Sequence, residues 1–115
     1  MIERVLPGGR YSEAVVAGGF IFCSGMVPKN THEGITAQTQ DVLNQIDALL
    51  AECGANKADI VDATIYLADM ADYAGMNQAW DAWVAPSQAP ARATVEARLA
   101  DPAWKIEIKV TAFRG

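Results

Sequence analysis

Hydrophobic positions along this chain recur with two different periods. Residues 104–113 (WKIEIKVTAF) alternate, with Trp104, Ile106, Ile108, Val110 and Ala112 on one side and Lys105, Glu107, Lys109 and Thr111 on the other. That period of two predicts a strand with one buried face. Residues 36–53 instead repeat at steps of three and four, with Thr39, Val42, Leu43, Ile46, Leu49, Leu50 and Cys53 on one stripe. This predicts a helix, with Thr36 as its candidate N-cap and Gly54 as a left-handed stop. The runs 14–17 (AVVA) and 20–24 (FIFCS) flank Gly18-Gly19 and predict a tight hairpin. Residues 28–34 read as a polar loop, and the β-branched run 60–67 (IVDATIYL) as a strand. A second helix is predicted over 71–84, with Tyr73, Met76, Trp80 and Trp83 on one face, Asp69 or Asp72 as its cap and Pro86 just beyond it. Residues 91–97 alternate as a further short strand.

The order is hairpin, helix, strand, helix, strand, strand. Two helices of three to five turns can cover one face of a mixed sheet, so the expected class is α+β, a two-layer sandwich. No repeat or linker interrupts the chain, and residues 1–115 are expected to form one domain. Ile60, Ile65, Val95, Ile106, Ile108 and Val110 offer more apolar strand surface than two helices can hide, which argues for an oligomer.

Composition narrows the function classes. With 9 Lys+Arg against 14 Asp+Glu, the formal charge of −5 disfavours long-range attraction to phosphate backbones. Two cysteines, Cys23 and Cys53, cannot make a disulfide framework, and with His32 as the one histidine the usual structural zinc sets are unavailable. The longest uncharged apolar stretch is about half a membrane span. The first ten residues (MIERVLPGGR) lack the apolar core of a signal peptide. A soluble, cytoplasmic protein with no membrane partner is expected.

Among single residues, His32 reads as a solvated loop side chain and Cys23 as a buried thiol. Arg92 shares a strand face with Thr94 and Glu96 in APARATVEA. It is either a surface cation paired with Glu96 or an anion clamp whose guanidinium fork matches a carboxylate. Glu107 is either one rung of a solvated Lys-Glu-Lys ladder or a working carboxylate. Tyr11 follows a Pro-Gly-Gly turn, and Ser24-Gly25 closes the hairpin strand.

Taken in order, six segments resemble the RidA/YjgF family. GGRYSEAV is similar to its Gly-x-Tyr-Ser-x-Ala opening, and FCSGMVP to its Ser-Gly-Gln-x-Pro segment. QTQDVLNQIDALLAECGA resembles the first-helix signature, and ADIVDATIYLADMADYAGMNQAW the central strand, turn and second helix. APARATVEARL is similar to the Pro-Ala-Arg segment and KIEIKVTA to the closing Ile-Glu-Ile strand. The resemblance implies a chorismate-mutase-like α+β fold and a homotrimer with clefts between subunits. The implied activity is hydrolysis of 2-imino acids and their enamines (2-iminobutanoate, 2-iminopropanoate) to 2-oxo acids and ammonia, with no metal and no cofactor. Carried over by position, Arg92 would bind the substrate carboxylate and Glu107 would position or activate water. Tyr11, Ser24 and Thr94 would line the cleft, and Asn77 would be structural or peripheral.

Three positions depart from that pattern. Met26 stands where the family has glutamine, Thr94 where cysteine is common, and Lys109 where a second glutamate follows Ile108. A non-catalytic ligand-binding trimer using the same cleft is the competing reading. Ribonuclease activity, assigned to some members, is opposed by the acidic balance and the lack of a basic aromatic stripe.

Overall fold

A computed structural model describes residues 1–115. The elements in chain order are β1 (Glu3–Pro7), β2 (Ser12–Ala17), β3 (Phe20–Cys23), α1 (Ile35–Glu52), β4 (Ile60–Leu67), α2 (Tyr73–Trp83), β5 (Ala91–Glu96) and β6 (Ile106–Phe113). All six strands form one sheet in the order β1-β2-β3-β6-β4-β5. Only the β4–β5 pair is parallel. Both helices lie on one face of this mixed sheet, giving the expected α+β sandwich.

The core follows from the two periods. Val42, Leu43, Ile46, Leu49 and Leu50 on α1 and Met76 and Trp80 on α2 are buried against Ala63, Ile65 and Leu67 of β4 and Ile106, Ile108, Val110 and Ala112 of β6. Burial of each large aliphatic side chain contributes about 1.5–3 kcal/mol. The helices approach closely at Gly75, where a Cβ would stand 2.6 Å from the Ile35 side chain. Gly18 and Gly19 take φ of 59° and 86°, so the β2–β3 hairpin has the two left-handed turn positions that Gly-Gly supplies.

Several local features differ from the sequence pattern. β1 is not predicted, because four of its five residues are exposed and it is held by pairing with β2 rather than by a buried stripe. Thr36 does not cap α1. Gly34 occupies the N-cap position without a side-chain bond, and the Thr36 hydroxyl donates to the Gly75 carbonyl on α2 (3.0 Å). Gly54 follows the end of α1 at φ 74°, as expected. α2 begins at Tyr73, not Ala71, since Met70–Asp72 form a separate 3-10 turn. Asp69 caps that turn by accepting from the Ala71 N–H, and Asp72 makes no capping bond.

β6 begins at Ile106. The preceding segment is a turn in which Asp101 accepts from the N–H groups of Ala103 and Trp104. A fully buried amide from α1 fixes this turn. Gln38 Nε2 donates to the Ala103 carbonyl (3.2 Å) and to the Glu33 carbonyl (3.1 Å), while Gln38 Oε1 accepts from the Lys105 N–H (2.9 Å). The peptide groups on either side of Trp104 are thereby tied to the core. Asp41 does similar work on the loop before α1, accepting from the Lys29 and Asn30 N–H groups and from Gln45.

The second face of the sheet is open. Phe20, Phe22, Val95 and Phe113 are exposed there, and the Phe20 and Phe113 rings pack with centroids 4.9 Å apart. Of the six strand residues read as an apolar surplus, Ile60, Ile65, Ile106, Ile108 and Val110 are buried under the helices and only Val95 is exposed, because the helix layer covers the whole inner face; the exposed apolar surface comes instead from Phe20, Phe22 and Phe113 on the other face. No helix is long and apolar enough to cross a membrane.

Ser87 is an exposed residue at φ 61° in a turn closed by the Gln88 N–H to the Ala85 carbonyl (3.0 Å). A left-handed conformation costs an L-residue about 1–2 kcal/mol. Ser87→Gly is expected to raise stability by up to about 1 kcal/mol, and Ser87→Val to lower it by about 1 kcal/mol or more. Urea denaturation of the three proteins reads both shifts, and a valine variant as stable as wild type would contradict the strain.

Candidate functional site

The structure gathers the candidate residues into two groups. The first is built by an irregularity between β3 and β6. Phe22 pairs with Thr111, and the next pairing joins Met26 to Ile108 through mutual N–H to carbonyl bonds of 2.8 and 3.0 Å. Four steps on one strand therefore face three on the other. The extra residue falls at Cys23–Gly25, a bulge that re-aims the strand. Lys109 Nζ holds it by donating to the Cys23 carbonyl (2.6 Å), and the Ser24 N–H donates to the Glu13 carbonyl (2.8 Å).

Glu107 lies against this bulge. A Cβ on Gly25 would stand 2.0 Å from Glu107 Oε2 and 2.9 Å from its Cδ, so the carboxylate occupies the volume that any side chain at position 25 would need. Tyr11, Ser24, Gly25, Val27, Trp104 and Glu107 bound a concavity of about 280 Å³. The Ser24 hydroxyl reaches Glu13 Oε2 only at 3.5 Å. The Glu107 carboxylate is half-buried and forms no hydrogen bond or ion pair within the chain. A carboxylate so placed is a free acceptor for a ligand proton.

The second group surrounds Arg92. Strand β5 turns Arg92 and Thr94 toward the helices, opposite the buried Ala63 and Ile65 of β4. Arg92 Nη1 donates to Asn77 Oδ1 (2.8 Å) and Nη2 to the Tyr73 hydroxyl (3.2 Å). Its Cζ sits 5.2 Å from the centroid of Trp80 and 5.9 Å from that of Tyr73. Aromatic faces and neutral hydrogen bonds thus fix the guanidinium plane without neutralising it. The pairing with Glu96 does not form, because Glu96 Oε1 accepts from the Met70 N–H (2.8 Å). Arg92 has no acidic partner, and the chain's single ion pair joins Arg114 to Glu3. The Thr94 hydroxyl oxygen is buried beside it without a hydrogen-bond partner.

The two groups lie on opposite faces of one sheet. Tyr66 of β4 is paired with both Val95 and Glu107, and these three share the open face; Arg92 and Thr94 share the helix face with Ala63 and Ile65. One chain therefore brings Tyr11, Ser24 and Glu107 together, and separately Arg92 with Thr94. It does not bring the two sets into one pocket.

Other candidates fall away from these groups. His32 is exposed in the loop before α1. Cys23 is buried, and burial with the neighbouring Cys53 pushes its thiol up to about 11, so it carries almost no thiolate at neutral pH. Several participants were not visible as such in the sequence. Asn77, Tyr73 and Trp80 acquire their role from lying three and four positions apart on α2, the face turned to β5. Gly25 and Trp104 acquire theirs from Glu107.

Comparison with known proteins agrees with this architecture. A family model described as endoribonuclease L-PSP matches residues 1–114. A RutC family protein of Haemophilus ducreyi is 49% identical over 112 residues, covering 97% of this chain and 96% of the relative. The RutC family protein YoaB of Escherichia coli is 46% identical over 111 residues, covering 96% of each. The crystal structure of a YjgF family protein from Neisseria meningitidis superposes with a TM-score of 0.97 at 59% identity, covering 100% of this chain and 96% of that one. With matching motifs, matching topology and relatives along its whole length, the chain belongs to the YjgF/RutC family, the group described by the endoribonuclease L-PSP model.

Proposed function

We propose that the chain is a hydrolytic deaminase of small 2-imino acids, working as a homotrimer whose clefts each combine Arg92 and Thr94 of one copy with Tyr11, Ser24 and Glu107 of the next. The observation that carries this reading is the acid-free guanidinium of Arg92, held in plane by Asn77, Tyr73 and Trp80. An arginine oriented this way and left uncompensated is a receptor for a planar carboxylate. The open apolar sheet face supports self-association, since exposed aromatic clusters of this kind mark interfaces.

The chemistry needs an anchored carboxylate and one proton acceptor. Arg92 fixes the carboxylate and thereby the neighbouring imine carbon. The imine reacts in its protonated form: water adds to that carbon as Glu107 takes the water's proton, and the iminium nitrogen becomes a neutral amine. Proton return to the amine breaks the carbon–nitrogen bond, while the hydroxyl loses its proton to become the carbonyl. One water is consumed, a 2-oxo acid and ammonia leave, and no electrons change hands. The family description names a ribonuclease, but a chain of net charge −5 lacks the electrostatic footprint for following a phosphate backbone.

The direct test generates 2-iminobutanoate or 2-iminopropanoate in situ and follows imine loss with and without the protein. Acceleration supports the deaminase. Binding of 2-oxo acids without acceleration would identify a ligand-binding trimer instead.

Arg92→Ala is expected to remove useful activity and Arg92→Lys to restore little of it. Each hydrogen bond to a charged group is worth roughly 1.5–3 kcal/mol, so losing one lowers turnover about 10- to 150-fold. An alanine variant that assembles normally and keeps activity within about threefold of wild type, below the effect of one such bond, would contradict the clamp.

Glu107→Gln should keep ligand binding and lower turnover by about 10²–10⁴-fold, the usual contribution of general acid–base catalysis. Arg92→Ala and Glu107→Gln chains, refolded together in equal amounts, should regain activity, because about a quarter of the clefts in random mixed trimers would carry both intact residues. No regain would mean that a cleft draws both residues from one chain.

Gly25→Ala is expected to reduce turnover as far as Glu107→Gln while the protein still assembles, because the added Cβ must displace the carboxylate. Wild-type turnover in this variant would show that the position of the carboxylate does not matter.

A further inference from the structure

Three tryptophans occur in this chain, and two have evident structural work. Trp80 belongs to the core, and Trp83 packs on its edge while its indole N–H donates to Asp47 (3.0 Å). Trp104 is different. It neither belongs to the core cluster nor packs against it, and its indole N–H makes no hydrogen bond within the chain. Folding alone does not account for so large an apolar side chain at this position.

Its place is nevertheless tightly specified. Gln38, fully buried on α1, bonds the Ala103 carbonyl and the Lys105 N–H, the peptide groups immediately before and after Trp104. The Trp104 N–H closes the turn onto the Asp101 carbonyl (3.1 Å). A buried amide with several satisfied bonds rigidifies the segment that it holds. The residue on this fixed backbone is half-buried, and its side chain lines two concavities. One is the Glu107 pocket, which it shares with Val27 and Tyr11. The other is a concavity of about 520 Å³ between Ala68 and the 96–102 segment. Apart from Glu107, Ser24 and Gly25, the lining of the Glu107 pocket is apolar and aromatic, and the backbone that carries Trp104 is tied to the core by Gln38.

We propose that Trp104 is the specificity-determining residue of the Glu107 pocket, and that it selects ligands whose carboxylate-bearing carbon also carries a sizeable apolar side chain, branched aliphatic or aromatic, over those in which that carbon carries a methyl group. The assignment rests on the reading of the Glu107 pocket as half of the substrate cleft. An aromatic side chain on a fixed backbone offers contact area to such a group, and a methyl group is too short to use it. Each additional methylene well packed in an apolar pocket changes discrimination by about 10- to 200-fold.

The test is calorimetric titration of wild-type protein, Trp104→Ala and Trp104→Phe with 4-methyl-2-oxopentanoate and with pyruvate. These acids share the carboxylate and differ only in the side chain. The ratio of their dissociation constants does not depend on the fraction of folded protein. Wild type should bind the branched acid at least about tenfold more tightly. Trp104→Ala should bring the two affinities together, and Trp104→Phe should keep most of the difference. The proposal is overturned by equal binding of the two acids to wild type, by no binding of either, or by an unchanged ratio in Trp104→Ala. It is also overturned if Trp104→Ala loses the wild-type oligomeric state, which would make the indole an interface residue. Turnover of the corresponding imines, measured in parallel, separates the two readings. Turnover with a flat affinity ratio removes the role of Trp104 alone, whereas a steep ratio without turnover removes the deaminase and leaves the pocket selective.

Discussion

A side chain on a β-strand can face only one side of its sheet, and that constraint governs this molecule. β6 and β4 commit Ile65, Leu67, Ile106, Ile108 and Val110 to the helix layer, so Glu107 and Tyr66 must face the other way. The same registry, carried one strand further, turns Arg92 and Thr94 toward the helices. Neither residue can change sides without a one-step slip that would expose a whole row of core residues. The separation of the cation from the carboxylate is thus as firmly set as the core, and a cleft containing both must be composed of more than one chain.

Each half is prepared in a different physical manner. The Arg92 half uses orientation without neutralisation. An acid in place of Asn77 would hold the guanidinium equally well but would consume the charge; an amide, a phenol and an indole face hold it and leave the charge available. The Glu107 half uses space. Its carboxylate is positioned by what Gly25 lacks, with the bulge around Cys23–Gly25 kept in shape by Lys109. The lysine that departs from the family pattern therefore has a clear structural task in this chain.

Legibility in the sequence followed burial. α1 and β6 could be read because each buries one face, so the period of the element appears in the hydrophobic pattern. β1 could not, since an exposed edge strand held by backbone pairing leaves no such stripe. Thr36 has the residue type and place of a cap, but its hydroxyl serves a partner 39 residues away, which local rules cannot foresee. The site residues stand out in the sequence by family motif, not by spacing. What spacing could not supply was their company: Arg92 meets Asn77 across 15 positions, and Gly25 meets Glu107 from a different strand. Such contacts are properties of the topology, and so was the division of the five residues between two faces.

The strand order β1-β2-β3-β6-β4-β5 places the strand synthesised last in the middle of the sheet. Until β6 emerges from the ribosome, β3 and β4 have no neighbour on their inner edges, and the hairpin half and the β4–α2–β5 half share no sheet. The nascent chain therefore carries two open edges and an unfilled slot at the centre of its future core, a state prone to wrong pairing with other chains. Closure depends on contacts between residues far apart in sequence, which form slowly because the intervening loops must first be closed. Insertion of β6 completes the sheet and in the same step brings Glu107 against Gly25. The carboxylate pocket therefore cannot form before the sheet closes, because the closing strand carries its carboxylate.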